Sequence, residues 1–477
     1  MNQQTENHFE IHPTVQRVLR ITGLALVCLA VYLSASVAIT FCLGLFAGTH
    51  VVKLPGIGDP IVSLEMRQEK HRIAPGDIAE VARAEFTVTG DLMFHMPIVQ
   101  QGWTGDGYDF HDIFQYVTPY LTGADLAAAP LETTFAGFDR GYSGTPWFNS
   151  PDEIAPTLKK AGLDILLTAT EHAYDTDVSG LLRTLDVIRD SGLTPLGTVD
   201  GVDSPRWTVQ TVGDLKIGMA AFTQATAGDD GSVSVGTLTA DSAAAVFLNA
   251  FDPEHLSRFY MEVEGMLSSM ESAGAEATVL FLHWGDDYTT VPSSQQRTIA
   301  QGLCDLGVDV IVGSHPHVVQ PVDLLYSTMD PTHSTFVLYS AGTLLSNLRP
   351  DTTDVVSGHT EDGLLASFTI SRYNDDSVRV SDVSLLPVWT AVYGSDENKT
   401  FCVLPLDTDQ SDWALAYDLN DSQLSGAKSS YNRTMAIVTS GLNKVTHELT
   451  PQSVSGSSGS APAETAPPAT TEPLGVG

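Results

Sequence analysis

The chain has 477 residues, enough for a large core and roughly one to three domains. Its 58 acidic and 23 basic residues give a formal net charge of −35, which argues against a nucleic-acid or anionic-membrane surface, so an anionic ligand has to be met by metal ions or a local basic pocket. Four cysteines, two of them (Cys28 and Cys42) in an apolar N-terminal run, exclude a disulfide framework or thiolate metal site, while one bridge between Cys304 and Cys402 stays open.

Residues 1–20 read as a cytoplasmic N-terminus. From Ile21 to Thr49 no charged residue occurs, and "LALVCLAVYLSASVAITFCLGLF" exceeds the roughly 20 apolar residues needed to cross a bilayer, so 21–47 is predicted to be a single transmembrane anchor. Arg17 and Arg20 before it place the acidic remainder outside the cell, although Lys53, Arg67, Lys70 and Arg72 beyond it reduce the asymmetry. The competing reading is a cleaved signal peptide, with Ser36 and Ala38 as small residues before the cut; the apolar run continues well past them. Residues 48–84 mix Pro, Gly and charge and read as a stalk.

From Glu85 onward one theme repeats: a short apolar run, a polar motif at its C-terminal end, then a helical segment. "EFTVTGD" ends at Asp91, "LDILLTATEH" at His172, "ATVLFLHWGDD" at His283, "VDVIVGSHPH" at His317 and "STFVLYSAGT" at Thr343. Strands alternating with helices imply an α/β fold, whose ligands gather outside the C-terminal strand ends. Between them, "SPDEIAPTLKKAG" is a predicted helix with Ser150 as N-cap, Pro151 in its first turn and Gly162 as its stop. "PSSQQRTIAQGLCDLG" is another, opened by Ser293 or Ser294 and closed by Gly307, and "DPEHLSRFYMEVEGMLSSMESAGA" is a longer one. "VSLLPVWTAV" and "FCVLPL" read as strands. Residues 409–450 form a peripheral, partly helical extension, and 451–477 a low-complexity tail expected to be disordered.

Four of these five strand-like runs thus deliver Asp or His to one end of a sheet, and carboxylates mixed with imidazoles are the ligand set of a one- or two-metal hydrolytic centre using zinc, manganese or iron. His315 and His317 lie two apart, so in an extended segment both imidazoles point the same way. Each motif alone has a plainer reading, as a strand-end polar residue, a turn or a pair of surface histidines. Trp103, Tyr108, Trp147 and Phe148 flank these motifs, and core packing accounts for them better than a polymer groove.

Together with "GDLMFH", "YDFHDIFQYVTPYLTGADLA", "LETTFAG", "HWGDDY", "VIVGSHPHVVQP" and "YSAGTLLSN", these stretches resemble the capsule-synthesis protein CapA family, whose domain looks like a calcineurin-type metallophosphoesterase. The resemblance covers about residues 85–406 and implies, over 85–408, an α/β sandwich of two mixed sheets flanked by helices. It further implies a cell-membrane protein with an extracytoplasmic domain. Its work would be the synthesis, attachment or export of an anionic capsule polymer, typically poly-γ-glutamate, beside membrane-embedded synthase and export subunits.

Carried over residue by residue, the resemblance makes Asp91, Glu132, Glu171, His283, His315 and His317 metal ligands, binding two divalent transition ions where the site is intact. His172 takes the general-acid or electrostatic role at the reacting group, and His95 and Thr343 line the site. Three family amides are absent. Asn of Ala-Asn-Leu-Glu is Pro130, the second Asn of Asn-Asn-His is Glu171, and the Asn of Tyr-Ser-Leu-Gly-Asn is Thr343. Glu171 adds charge that tightens cation binding while weakening attraction for an anionic substrate. The alternative to a hydrolase-like enzyme is therefore a non-catalytic scaffold that holds the polymer or its synthase at the membrane.

Overall fold

Apolar runs form two seven-stranded mixed sheets in the computed structural model, which describes residues 78–355, 357–394, 398–407 and 410–449. The expected anchor at 21–47, most of the expected stalk and the expected tail at 451–477 lie outside the described residues. Among the described residues no helix is long and apolar enough to cross a membrane.

The first sheet has Glu80–Thr89 near its centre, with Ala82, Ala84, Phe86 and Val88 buried on one face, so the strand opens inside the segment read as stalk. On one side it continues in parallel through Leu126–Pro130, Ile165–Leu167 and Thr194–Leu196. On the other it continues antiparallel through Asp362–Tyr373, Val378–Tyr393 and Thr400–Pro405. The second sheet runs in parallel through Ala250–Phe251, Leu215–Gln224, Ala277–His283, Val310–Ser314 and Ser334–Leu338. Val322–Tyr326 and Thr208–Val212 add antiparallel strands.

Alternation along each strand sorts its side chains between two layers. Ile217, Met219, Val279, Phe281, Val310 and Val312 face the first sheet, and Phe336 of the second meets Phe368 of the first at 5.7 Å between ring centroids. Ala220, Phe222, Leu280, Leu282 and Ile311 face outward onto helices. The helix Leu256–Ser272 covers them with Phe259, Val263, Met266 and Met270, spaced three and four apart, and Ser294–Asp305 covers them with Ile299, Ala300 and Leu303. Ser293 caps the latter through a full capping box with Gln296. On the first sheet, Ile154–Ala161 packs Leu158 inward and stops at Gly162, whose φ of +108° is left-handed. That helix starts later than its sequence suggests, because the Ser150 hydroxyl pairs with Thr133 Oγ1 at 2.7 Å instead of capping it.

The expected C-terminal extension contains Asp421–Leu449, a helix of 29 residues whose Val438 and Val445 belong to the core between the sheets. Ion pairs tie it to both layers: Arg433 to Asp362 of the first sheet at 2.7 Å and Lys444 to Asp323 of the second at 2.6 Å. Cys304 and Cys402 are both buried and free, so the bridge left open by the sequence is not made.

Candidate metal centre

The loops after five strands converge. Asp91 begins the two-residue strand Asp91–Leu92, which pairs in parallel with Thr343–Leu345. Gly90 permits that approach, since a Cβ there would stand 2.2 Å from the Gly342 carbonyl oxygen. Glu132 follows Leu126–Pro130, and its N–H donates to Leu92 O at 3.0 Å. Glu171 and His172 lie in the turn beyond Ile165–Leu167, a strand that ends sooner than the apolar run suggested. His283 is the last residue of Ala277–His283, and His315 and His317 follow Val310–Ser314.

The extended geometry expected for His315 and His317 is not found. The strand stops at Ser314, and the two residues adopt φ of +95° and +54°, left-handed conformations that cost non-glycine residues roughly 1–2 kcal/mol each. The imidazoles converge even so, with ring centroids 5.6 Å apart. Thr343 Oγ1 supports the second of these residues by donating to the His317 carbonyl at 3.1 Å.

The structure brings the six residues assigned as metal ligands into one cluster. Their ligand atoms lie within 4.8 Å of one another in the triplets Asp91–Glu132–His283, Glu132–Glu171–His317 and Glu171–His283–His315. His317 Nδ1 is 2.9 Å from Asp91 Oδ2, and His315 Nδ1 is 2.9 Å from Glu171 Oε1. His283 Nε2 is hydrogen-bonded to Glu171 Oε2 and stands 3.6 Å from Glu132 Oε1, while its Nδ1 pairs with Ser314 Oγ at 2.8 Å.

Burial, reinforced by the charges of Asp91 and Glu171, pushes the Glu132 carboxyl well above its ordinary range. Burial also acts to raise Glu171, but His283 and His315 outweigh it and hold that carboxyl well below. Burial lowers the His283 imidazole, favouring the neutral form that binds metals; at His315 the Glu171 charge overcomes burial and raises it to about 9.

The donor set fits a cation. Asp91 Oδ1 and both Glu132 oxygens are buried without a hydrogen-bond partner, although unpaired buried carboxylates cost several kcal/mol, on the order of 3–5 when a partner is missing. Carboxylate oxygens beside imidazole nitrogens suit a divalent transition ion such as manganese, iron or zinc.

His172 and His95 stand beside the cluster, each packed edge-on against Phe148 with ring centroids 4.7 and 5.2 Å from it. His172 Nδ1 pairs with Asp175 Oδ2 at 2.8 Å, a bond that with the charge of Glu171 raises the imidazole against the opposing effect of burial. Of the flanking aromatics, Phe148 is buried and Tyr108 packs partly in the core, whereas Trp103 and Trp147 are 53 % and 51 % exposed.

Two site residues went unmarked in the sequence. Asp287 Oδ1 lies 3.3 Å from His315 Nε2 and forms a further triplet with His315 and His317; Asp175 orients His172. The available signals were position alone, four residues after His283 and three after His172.

Burial holds the His95 imidazole down at about 4, and its Nδ1 accepts the Asn347 N–H at 3.2 Å. An unfolded histidine protonates near its usual 6.5 while the folded one resists, so stability is lost as pH falls from there to about 4, by about 3 kcal/mol in total. Urea midpoints across this window should fall more steeply for wild type than for His95→Gln; parallel curves would contradict it.

Comparison with known proteins bears on this centre. Residues 85–348 match the family described as "Bacterial capsule synthesis protein PGA_cap". The chain is 23% identical over 367 residues to the capsule biosynthesis protein CapA of Bacillus anthracis, covering 75% of this chain and 81% of that relative. It is 27% identical over 235 residues to the PGA biosynthesis protein CapA of Bacillus subtilis (strain 168), covering 48% of this chain and 55% of that relative.

Proposed function

The chain belongs to the bacterial capsule synthesis protein PGA_cap family, and from that premise we propose that it is a membrane-anchored capsule-assembly protein with a metallophosphoesterase-like hydrolytic centre outside the cell. The carrying observation is the cluster of three carboxylates and three imidazoles around carboxylate oxygens that have no protein partner. The CapA relatives are named for capsule and PGA biosynthesis, which supports a capsule polymer as its ligand; the family resemblance suggests poly-γ-glutamate, with membrane-embedded synthase and export subunits as partners.

Asp91 and Glu132, with the imidazole of His317 beside them, would hold a divalent ion. Bound there, the ion would supply Lewis acidity toward a phosphoryl or carbonyl oxygen. His172, fixed through Nδ1 by Asp175, keeps Nε2 free for the reacting group and can donate a proton to it. Phe148 packs edge-on against the same ring and fixes its plane.

The test is the full chain with Mn²⁺ and either poly-γ-glutamate of defined length or phosphodiesters. Metal-dependent cleavage is expected, falling by about a hundredfold or more in His172→Ala. A metal-loaded protein that binds the polymer and leaves both substrates intact would instead establish the non-catalytic scaffold. Glu171 favours that second reading, because its added charge repels an anionic substrate from the ion.

A further inference from the structure

The resemblance implies a pair of ions, yet the polar groups of this centre are partnered unevenly. On one side Asp91 Oδ1, Glu132 Oε1 and Glu132 Oε2 are buried and unpartnered, and His317 Nδ1 stands 3.8 Å from Glu132 Oε1 and 2.9 Å from Asp91 Oδ2. That side has acceptor oxygens with nothing to bind.

On the other side both Glu171 oxygens are engaged, Oε2 with His283 Nε2 and Oε1 with His315 Nδ1 at 2.9 Å. The second nitrogen of each imidazole has a partner too: His283 Nδ1 faces Ser314 Oγ at 2.8 Å and His315 Nε2 faces Asp287 Oδ1 at 3.3 Å. A carboxylate serving two imidazoles satisfies all three groups without an ion.

A turn packs beside Glu171. The turn at Gly236, φ +53°, lies so close that a Cβ there would stand 3.1 Å from Glu171 Cβ. Glycine at that position therefore leaves room for the Glu171 stem, which a larger residue would displace. Nor do the other altered positions supply a replacement amide oxygen: Pro130 has no polar side chain, and the Thr343 hydroxyl donates to the His317 carbonyl.

We infer that this centre holds a single divalent ion, on Asp91, Glu132 and His317, and that Glu171 bound to His283 and His315 fills the place of a second. The inference rests on the proposed metal centre, and it assigns Glu171 as a positioning residue that engages potential ligands. The site then binds one cation while keeping a protein carboxylate beside it.

The test is metal content and electron paramagnetic resonance of the full chain after equilibration with Mn²⁺ and removal of free ion. Wild type is expected to carry about one ion per chain with the spectrum of an isolated Mn²⁺, and Glu171→Asn, which frees both imidazoles, about two with a spin-coupled spectrum. His315→Ala, read alongside in case Glu171→Asn unfolds, should retain about one ion, whereas a two-ion centre would lose one.

Two coupled ions in wild type would overturn this inference alone. So would a folded Glu171→Asn protein that still holds one, or loss of the ion in His315→Ala. No bound ion in wild type would overturn the metal centre itself.

Discussion

In metal-free protein at neutral pH, Glu132→Gln is expected to raise stability by about 2 kcal/mol, and in metal-loaded protein to weaken ion binding more than about tenfold. The reversal follows from the surroundings of one side chain. Glu132 is fully buried, its oxygens have no partner, and the charges of Asp91 and Glu171 act on it.

Its folded carboxyl therefore titrates above its unfolded one, and without an ion the fold binds its proton more tightly than the unfolded chain does. The corresponding stability is fully present below the unfolded value of about 4.5 and is lost as pH rises toward the folded value. Glutamine removes that loss, and its amide can donate to the unpartnered Asp91 Oδ1. With an ion bound the carboxylate is the better ligand, so the same change is costly. Thermal melts of chelated and Mn²⁺-loaded chain, each with and without the substitution, read both signs; destabilisation of the chelated protein would show that Glu132 has another partner.

Arg433→Met is expected to cost about 3–5 kcal/mol, the largest loss anticipated outside the metal centre. Arg433 donates to both oxygens of Asp362, at 2.9 and 2.7 Å, and to Gly358 O at 3.0 Å. The Asp362 side chain is 1% exposed, and burial raises its carboxyl to about 6 even with the guanidinium opposing. Removing the guanidinium leaves the buried carboxylate with no hydrogen-bonded cation, His359 Nδ1 standing 3.7 Å away, so the loss should be greatest above pH about 6 and shrink on acidification. Adding Asp362→Asn should recover part of it. Urea unfolding of the two single variants and the double variant decides the matter: independent, additive effects would mean that the pair does not couple. The effect should reach the metal centre, because the backbone beside Asp362 bridges Gly363 to Gly342, next to Thr343 and its partner Asp91.

The strands leading to Asp91, His172, His283 and His317 were legible because each is an apolar run that gives out into polar side chains, whereas the parallel strands Leu126–Pro130, Thr194–Leu196 and Leu215–Gln224 were not read. His283 ends its strand as the run implied, and Gly162 and Ser293 mark helix ends by backbone conformation and capping. Glu132 was visible only through the family resemblance. It follows "LAAAP", whose small side chains carry little strand signal, and nothing local shows that its carboxylate is buried.

Asp287 gave no signal beyond its position after His283, because one exposed acid in an Asp-Asp pair looks like any other. The integration of Asp421–Leu449 into the core was hidden for a different reason. Its docking face runs through Ala427, Ser430, Thr434, Val438 and Val445, where small and polar residues interrupt the apolar period, and its anchors are ions whose partners lie far away in sequence.

The span between ligands has a consequence for how the protein matures. Asp91 and His317 are 226 positions apart and come from different sheets, so their pocket does not exist until both layers have docked. A nascent chain offers only scattered weak donors. An ion that binds there therefore does so only once the domain has folded, and the pocket's affinity is a property of the docked sheets rather than of any local segment.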